Sequence, residues 1–193
     1  MYEVNPILAI DSYKLGHMTM YPPGTNKVYC NLTARDFKHI RNMFPNDLPF
    51  FNEKMVVFGV SAAVQEIVES FNSSFFNMSL DEIIESFKDS TRPFIGDNDN
   101  SLMVENITKL HDLGYLPVII KSLPEGIQIK ENIPMMTITN THRDFAWLPN
   151  YLETFISSQV RRITHNGLTI SALSVSGSKL KIIKAKNKKT STT

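Results

Sequence analysis

With 193 residues, 42% of them hydrophobic and 20% charged, the chain has the make-up of an ordinary globular domain and enough length to bury a core. Its single cysteine, Cys30, excludes an intramolecular disulfide framework and a cysteine-cluster zinc site. The net charge of +1 conceals an asymmetry: all 19 acidic residues lie at or before Glu153, and only Lys and Arg carry charge after it. A basic end on an acidic body suits either a nucleic-acid arm or a solvated tail. No aromatic residue follows Phe155 to stack on bases, so the tail is expected to be solvated and disordered. No apolar stretch approaches the ~20 residues of a membrane span, and no basic region precedes the first apolar run. A signal peptide is therefore not expected, and the cytoplasm is the expected setting.

In chain order, the apolar run Ile7-Leu8-Ala9-Ile10 gives way to Asp11-Ser12-Tyr13-Lys14, then His17, and Tyr21-Pro22-Pro23-Gly24 forces a turn. Asp11 is a candidate N-cap for a helix from Ser12 to about Met20, on which Tyr13 and His17 share a face. The residues alone allow two uses. One is a plain capped helix whose tyrosine covers the core; the other is a helix start where ring and carboxylate receive a flat polar ligand. Lys27 to Leu32 is a candidate short strand. From Val57 to Phe71 apolar residues recur at helical spacing, with Gln65, Glu66 and Glu69 opposite.

Ser79-Leu80-Asp81-Glu82 matches a capping box and predicts a helix to about Lys88, with the pattern broken at Arg92-Pro93. Gly96-Asp97-Asn98-Asp99 is a loop, and a further helix is expected over Leu102 to Leu113, stopped by Gly114. Leu116 to Leu123 is strand-like, turned by Pro124-Glu125-Gly126 into Ile127 to Ile129, with another strand at Met135 to Thr139. Trp147, Leu148, Tyr151, Leu152, Phe155 and Ile156 fall on one helical face, and the pattern decays beyond Gln159. The expected fold class is α+β: a mixed helix and strand domain over residues 1–159, followed by a divergent Lys-rich tail over 160–193.

Common signatures of chemistry are missing. There is no P-loop, no G-x-G-x-x-G, no G-x-S-x-G elbow and no His-Glu-x-x-His. The five histidines (17, 39, 111, 142 and 165) are too scattered to suggest a metal site. Only the stretch around Asp11, Tyr13 and Lys14 combines several functional groups in one turn.

That stretch also carries a resemblance. Asn5-Pro6-Ile7-Leu8-Ala9-Ile10-Asp11-Ser12-Tyr13-Lys14-x-x-His17, followed by Tyr21-Pro22-Pro23-x-Thr25-x-Lys27-Val28-Tyr29, resembles the beginning of the nicotinamide phosphoribosyltransferase family. The likeness continues through Val57-Phe58-Gly59, Leu116-Pro117-x-x-x-Lys121-x-x-Pro124-Glu125-Gly126 and Asn140-Thr141. It ends with Trp147-Leu148-x-Asn150-x-x-Glu153-Thr154, so it covers roughly residues 5–159 in the family's order. Nicotinate-type relatives carry a Thr-Asp-x-Tyr element at the first block, so the Asp-Ser-Tyr-Lys string disfavours that alternative.

The resemblance implies the N-terminal α+β domain of a type II phosphoribosyltransferase, ending before the catalytic α/β barrel is complete. Family enzymes join nicotinamide to phosphoribosyl pyrophosphate with magnesium, giving nicotinamide mononucleotide and pyrophosphate, in homodimers whose sites lie between subunits. By this likeness Tyr13 stacks on the nicotinamide ring of the neighbouring subunit's site. Asp11 lies near the amide, and Arg35, in Thr33-Ala34-Arg35, reaches phosphate groups. No catalytic residue and no magnesium ligand is assigned in this chain, because the family's remaining site residues lie beyond the matched region. Past Gln159 the likeness, the amphipathic pattern and the acidic residues are lost together, as in a frameshifted or prematurely ended reading frame. A non-catalytic dimerisation module, or a subunit pairing with a separately encoded remainder, is the alternative expectation.

Overall fold

The computed structural model describes residues 5–34, 36–37, 54–96 and 100–158; Arg35 and the expected tail over 160–193 lie outside the described residues. The fold is α+β. Its larger sheet has the order β1-β5-β3, with β1 (Tyr29–Thr33), β3 (Val118–Ser122) and β5 (Pro134–Asn140) paired antiparallel. A two-stranded sheet pairs β2 (Lys54–Val56) with β4 (Gln128–Lys130).

Alternation sets the faces of the larger sheet. Cys30 lies opposite Ile138, and Ile138 opposite Ile120, while Leu32 and Ser122 flank Met136. Met136 and Ile138 are buried, whereas Tyr29 and Ile119, on either side of Thr139, are exposed on the other face. The strands flanking Pro124-Glu125-Gly126 do not pair with each other. β4 turns instead to β2, where Ile129 lies opposite the fully buried Met55. Strand β2 was not expected; three residues are too short for a period-two pattern to stand out.

The helices follow their expected places with altered ends. Helix α1 (Val60–Phe71) begins three residues later than the apolar periodicity, after Gly59 in the left-handed conformation at φ 85°. Val57 belongs to the strand junction: its N–H donates to Ile127 O and its carbonyl accepts from Gly126 N–H, both at 2.8 Å. Glu125 caps α1 from that turn, accepting from Gly59 N–H at 2.7 Å and Ser61 N–H at 3.0 Å. A π-helical turn (Asn72–Phe76) continues α1.

Helix α2 (Leu80–Ile95) starts as the capping box requires, with Glu82 N–H donating to Ser79 Oγ. It does not break at Arg92-Pro93. Pro93 falls in the last turn, where it removes one hydrogen bond, and the buried Ile83, Phe87 and Thr91 hold the helix in place up to Gly96. Helix α3 (Ser101–Leu113) stops at Gly114, which adopts φ 73°. Helix α4 (Leu148–Tyr151) runs into a further helical stretch over 153–158, and all six residues expected on its apolar face are buried. This helix packs on β5, on β1 and on the N-terminal segment, so one core runs from Ile7 to Ile156.

Candidate functional site

The N-terminal segment departs from expectation. Ser12–Met18 is a 3-10 helix, two residues shorter than expected, and Asp11 makes no side-chain cap. At three residues per turn, Leu15 and Met18 stack on one buried stripe, and positions four apart lie about 120° apart. Tyr13 and His17 therefore do not share a face. His17 lies beside the Tyr21 ring, 6.1 Å between centroids. Tyr13 is 66% exposed, so it does not cover the core.

What holds this segment is the helix beginning at Leu148. Thr154 Oγ1–H donates to Asp11 Oδ2 at 2.7 Å, and Asp11 N–H approaches the same hydroxyl at 3.4 Å. The Asp11 carboxylate is taken up there, which is why it caps nothing. Lys14 is buried, only 3% exposed, and its ammonium forms an ion pair with Glu153. Burial pulls the Lys14 pKa down, the Glu153 carboxylate outweighs it, and the net shift is upward. The same ammonium lies 5.1 Å from the centroid of the Tyr13 ring. Asn150 makes the third joint. Its Nδ2 donates to the Tyr21 phenol, and its Oδ1 accepts from the Cys30 thiol at 2.7 Å.

Asn150, Glu153 and Thr154 stand at i, i+3 and i+4, the spacing of one helical face. That spacing was the available signal for them; with no partner in view it assigned them no role. Burial first and the Glu153 carboxylate second push the Cys30 thiol pKa up, which favours its protonated form. His17 is shifted downward, by burial first and by the Lys14 charge second.

The arrangement presents an exposed aromatic ring and a neighbouring carboxylate on a rigid base. It can stack on a flat ring and accept hydrogen bonds from an amide. Two clefts lie nearby. One, of about 420 Å³, runs between the Tyr21–Asn26 turn and Arg143–Trp147; the other, of about 330 Å³, lies between the inner sheet face and Asn150, Glu153 and Ile156. Neither includes Tyr13 or Asp11, both of which are exposed. Among the described residues no three His, Cys, Asp or Glu side chains gather into a metal-binding cluster. Among them too, no helix is long and apolar enough to cross a membrane. Asp11 and Tyr13 thus lie two residues apart and exposed at the start of the 3-10 helix, and Arg35 lies outside the described residues.

Comparison with known proteins bears on the same segments. Residues 5–94 match the family model for the nicotinamide phosphoribosyltransferase N-terminal domain. The nicotinamide phosphoribosyltransferase of Acinetobacter baylyi is 38% identical over 160 residues, covering 82% of this chain and 30% of the relative. That of Xanthomonas campestris pv. campestris is 26% identical over 155 residues, covering 80% of this chain and 28% of the relative. Among solved structures, human nicotinic acid phosphoribosyltransferase aligns with a TM-score of 0.49 at 15% identity, covering 83% of this chain and 26% of that one. The chain thus spans about 30% of the length of the curated relatives it matches. With the N-terminal domain matched and the same family found over four-fifths of its length, the chain belongs to the nicotinamide phosphoribosyltransferase family.

Proposed function

We propose that this chain supplies one side of a nicotinamide phosphoribosyltransferase site in NAD salvage, completed by parts of the enzyme beyond the matched region. In that reaction the pyridine nitrogen of nicotinamide bonds to the anomeric carbon of phosphoribosyl pyrophosphate. The bond from that carbon to pyrophosphate breaks, and the electron pair leaves with pyrophosphate. Catalysis of this kind is mostly positioning and charge stabilisation. Tyr13 stacks on the nicotinamide ring, Asp11 accepts from its amide, and Arg35 reaches a phosphate. In the assembled homodimer these groups serve the neighbouring subunit's site, in the cytoplasm.

One observation carries this reading: Tyr13, on a segment otherwise tied into the core, is 66% exposed beside the anchored Asp11. Neither residue lines either of the two clefts described above, and small ligands need an enclosed site to be held tightly.

The test is mononucleotide formation from nicotinamide, phosphoribosyl pyrophosphate and magnesium. The 193-residue polypeptide alone is expected to give none above the blank. Supplied with the remaining two-thirds of the Acinetobacter relative, in cis or as a second chain, it is expected to be active. Tyr13→Ala is then expected to weaken nicotinamide binding by about 1–3 kcal/mol, the scale of one base–aromatic stack. Undiminished binding by Tyr13→Ala would remove the assignment.

A further inference from the structure

We infer that Glu153 and Thr154 are positioning residues for the nicotinamide site, acting through Lys14 and Asp11; this rests on the function proposed above. The observation is a juxtaposition across 139 residues for one pair and 143 for the other. Two adjacent side chains on one helical turn hold Asp11 and the lysine that follows Tyr13.

Lys14 follows Tyr13 directly, and its ammonium is buried with a carboxylate as partner. A buried ammonium is held in place only where a carboxylate compensates it. Glu153 therefore decides where the Lys14 Nζ sits, and that atom lies over the Tyr13 ring. A cation over one face orients the ring by attraction to its π-system and leaves the other face to solvent. Thr154 does the same for Asp11. Its hydroxyl donates to Oδ2, leaving Oδ1 without a bond among the described residues and able to accept from an amide. Ring and carboxylate are thus spaced by a single rigid element, the condition for a stacked, hydrogen-bonded ligand to be bound in one pose.

The first arm of the test uses the 193-residue chain and NMR of its lysine side chains. The Lys14 ε-CH2 protons are expected upfield of the other lysines, and Tyr13→Ala is expected to abolish that displacement. Glu153→Gln is expected to abolish it too, with the Tyr151 and Ile7 signals unmoved. An undisplaced Lys14 signal in the unaltered chain, or a displacement that survives Glu153→Gln, overturns the inference.

The second arm uses the completed enzyme. Glu153→Gln is expected to raise KM for nicotinamide roughly tenfold with KM for phosphoribosyl pyrophosphate unchanged. Thr154→Ser should preserve KM and Thr154→Val should raise it. The double variant Lys14→Met/Glu153→Met removes both charges and leaves no orphaned ion, so it controls for any loss of stability in Glu153→Gln. Its stability is expected to recover while its nicotinamide KM stays raised; recovery of both would mean the pair serves only the fold. A normal KM in Glu153→Gln beside a raised one in Tyr13→Ala overturns the positioning role alone. A normal KM in Tyr13→Ala overturns the functional reading beneath it.

Discussion

The Tyr151 hydroxyl donates a 2.8 Å hydrogen bond to the carbonyl of Ile7, 144 positions earlier, and both residues are fully buried. Burial pushes the Tyr151 phenol far above its usual range, so it remains a donor at any pH the fold survives. This bond and the Lys14–Glu153 pair suspend the segment carrying Asp11 and Tyr13 from the helix beginning at Leu148. Tyr151→Phe keeps the ring and its edge-on contact with Trp147, but strands a buried carbonyl. The expected loss is about 1–2 kcal/mol of unfolding free energy, read by urea denaturation with unchanged m-value. An unchanged midpoint would mean that Ile7 O finds another donor.

Glu125 is the second joint open to a direct test. It accepts from two N–H groups at the start of α1. Glu125→Ala is expected to cost about 1 kcal/mol, the usual value of a cap. Glu125→Gln keeps one acceptor and loses the charge at the helix N-terminus, so it should fall between. Equal melting temperatures for Glu125→Ala and the unaltered chain would contradict this.

The pH dependence should carry a signature of His17. Its folded pKa lies below the usual 6.5, lowered by burial and the Lys14 charge and partly restored by Glu153. A lowered histidine pKa means the unfolded chain binds the proton more readily. Its contribution is therefore fully present above pH 6.5 and is lost as pH falls through the folded value. Stability should decline over that window, and His17→Gln should flatten the decline. Proton NMR of the imidazole checks the cause, since a titration midpoint at or above 6.5 would remove it.

Asp11→Asn separates the carboxylate's charge from its shape. Asp11 is exposed, and an amide oxygen can accept from Thr154 as the carboxylate does, so the fold should be spared. In the completed enzyme the substitution is expected to shift the preference between nicotinamide and nicotinate. Removing a negative charge beside the ring substituent eases the approach of a carboxylate. The ratio of kcat/KM for the two substrates measures it, and an unchanged ratio would detach Asp11 from amide recognition.

The sequence by itself located most of the helices and strands and carried the family likeness. The start of helix α2 was legible from its capping box and the end of α3 from Gly114; the end of α2 was not, because Pro93 in its last turn reads as a break. The face from Trp147 to Ile156 was legible because six apolar residues repeat with the period of a helix. Asp11 and Tyr13 stood out through the likeness of their neighbourhood, not through any property of their own spacing.

Tertiary structure alone decided which element meets which. No local pattern says that β4 leaves β3 for β2, because the pairing is set by burial of Met55 and Ile129. Nor does one say that Lys14 is buried. A lysine in a polar turn belongs to solvent until a carboxylate from far along the chain compensates its charge, and Glu153 supplies it. The 3-10 geometry of Ser12–Met18 has the same origin. Once Thr154 takes the Asp11 carboxylate and the core takes Leu15 and Met18, the tighter turn fits where an α-helix capped by Asp11 would not. Contacts made across some 140 residues leave no trace in a window of ten, and the exposure of Tyr13 depends on them.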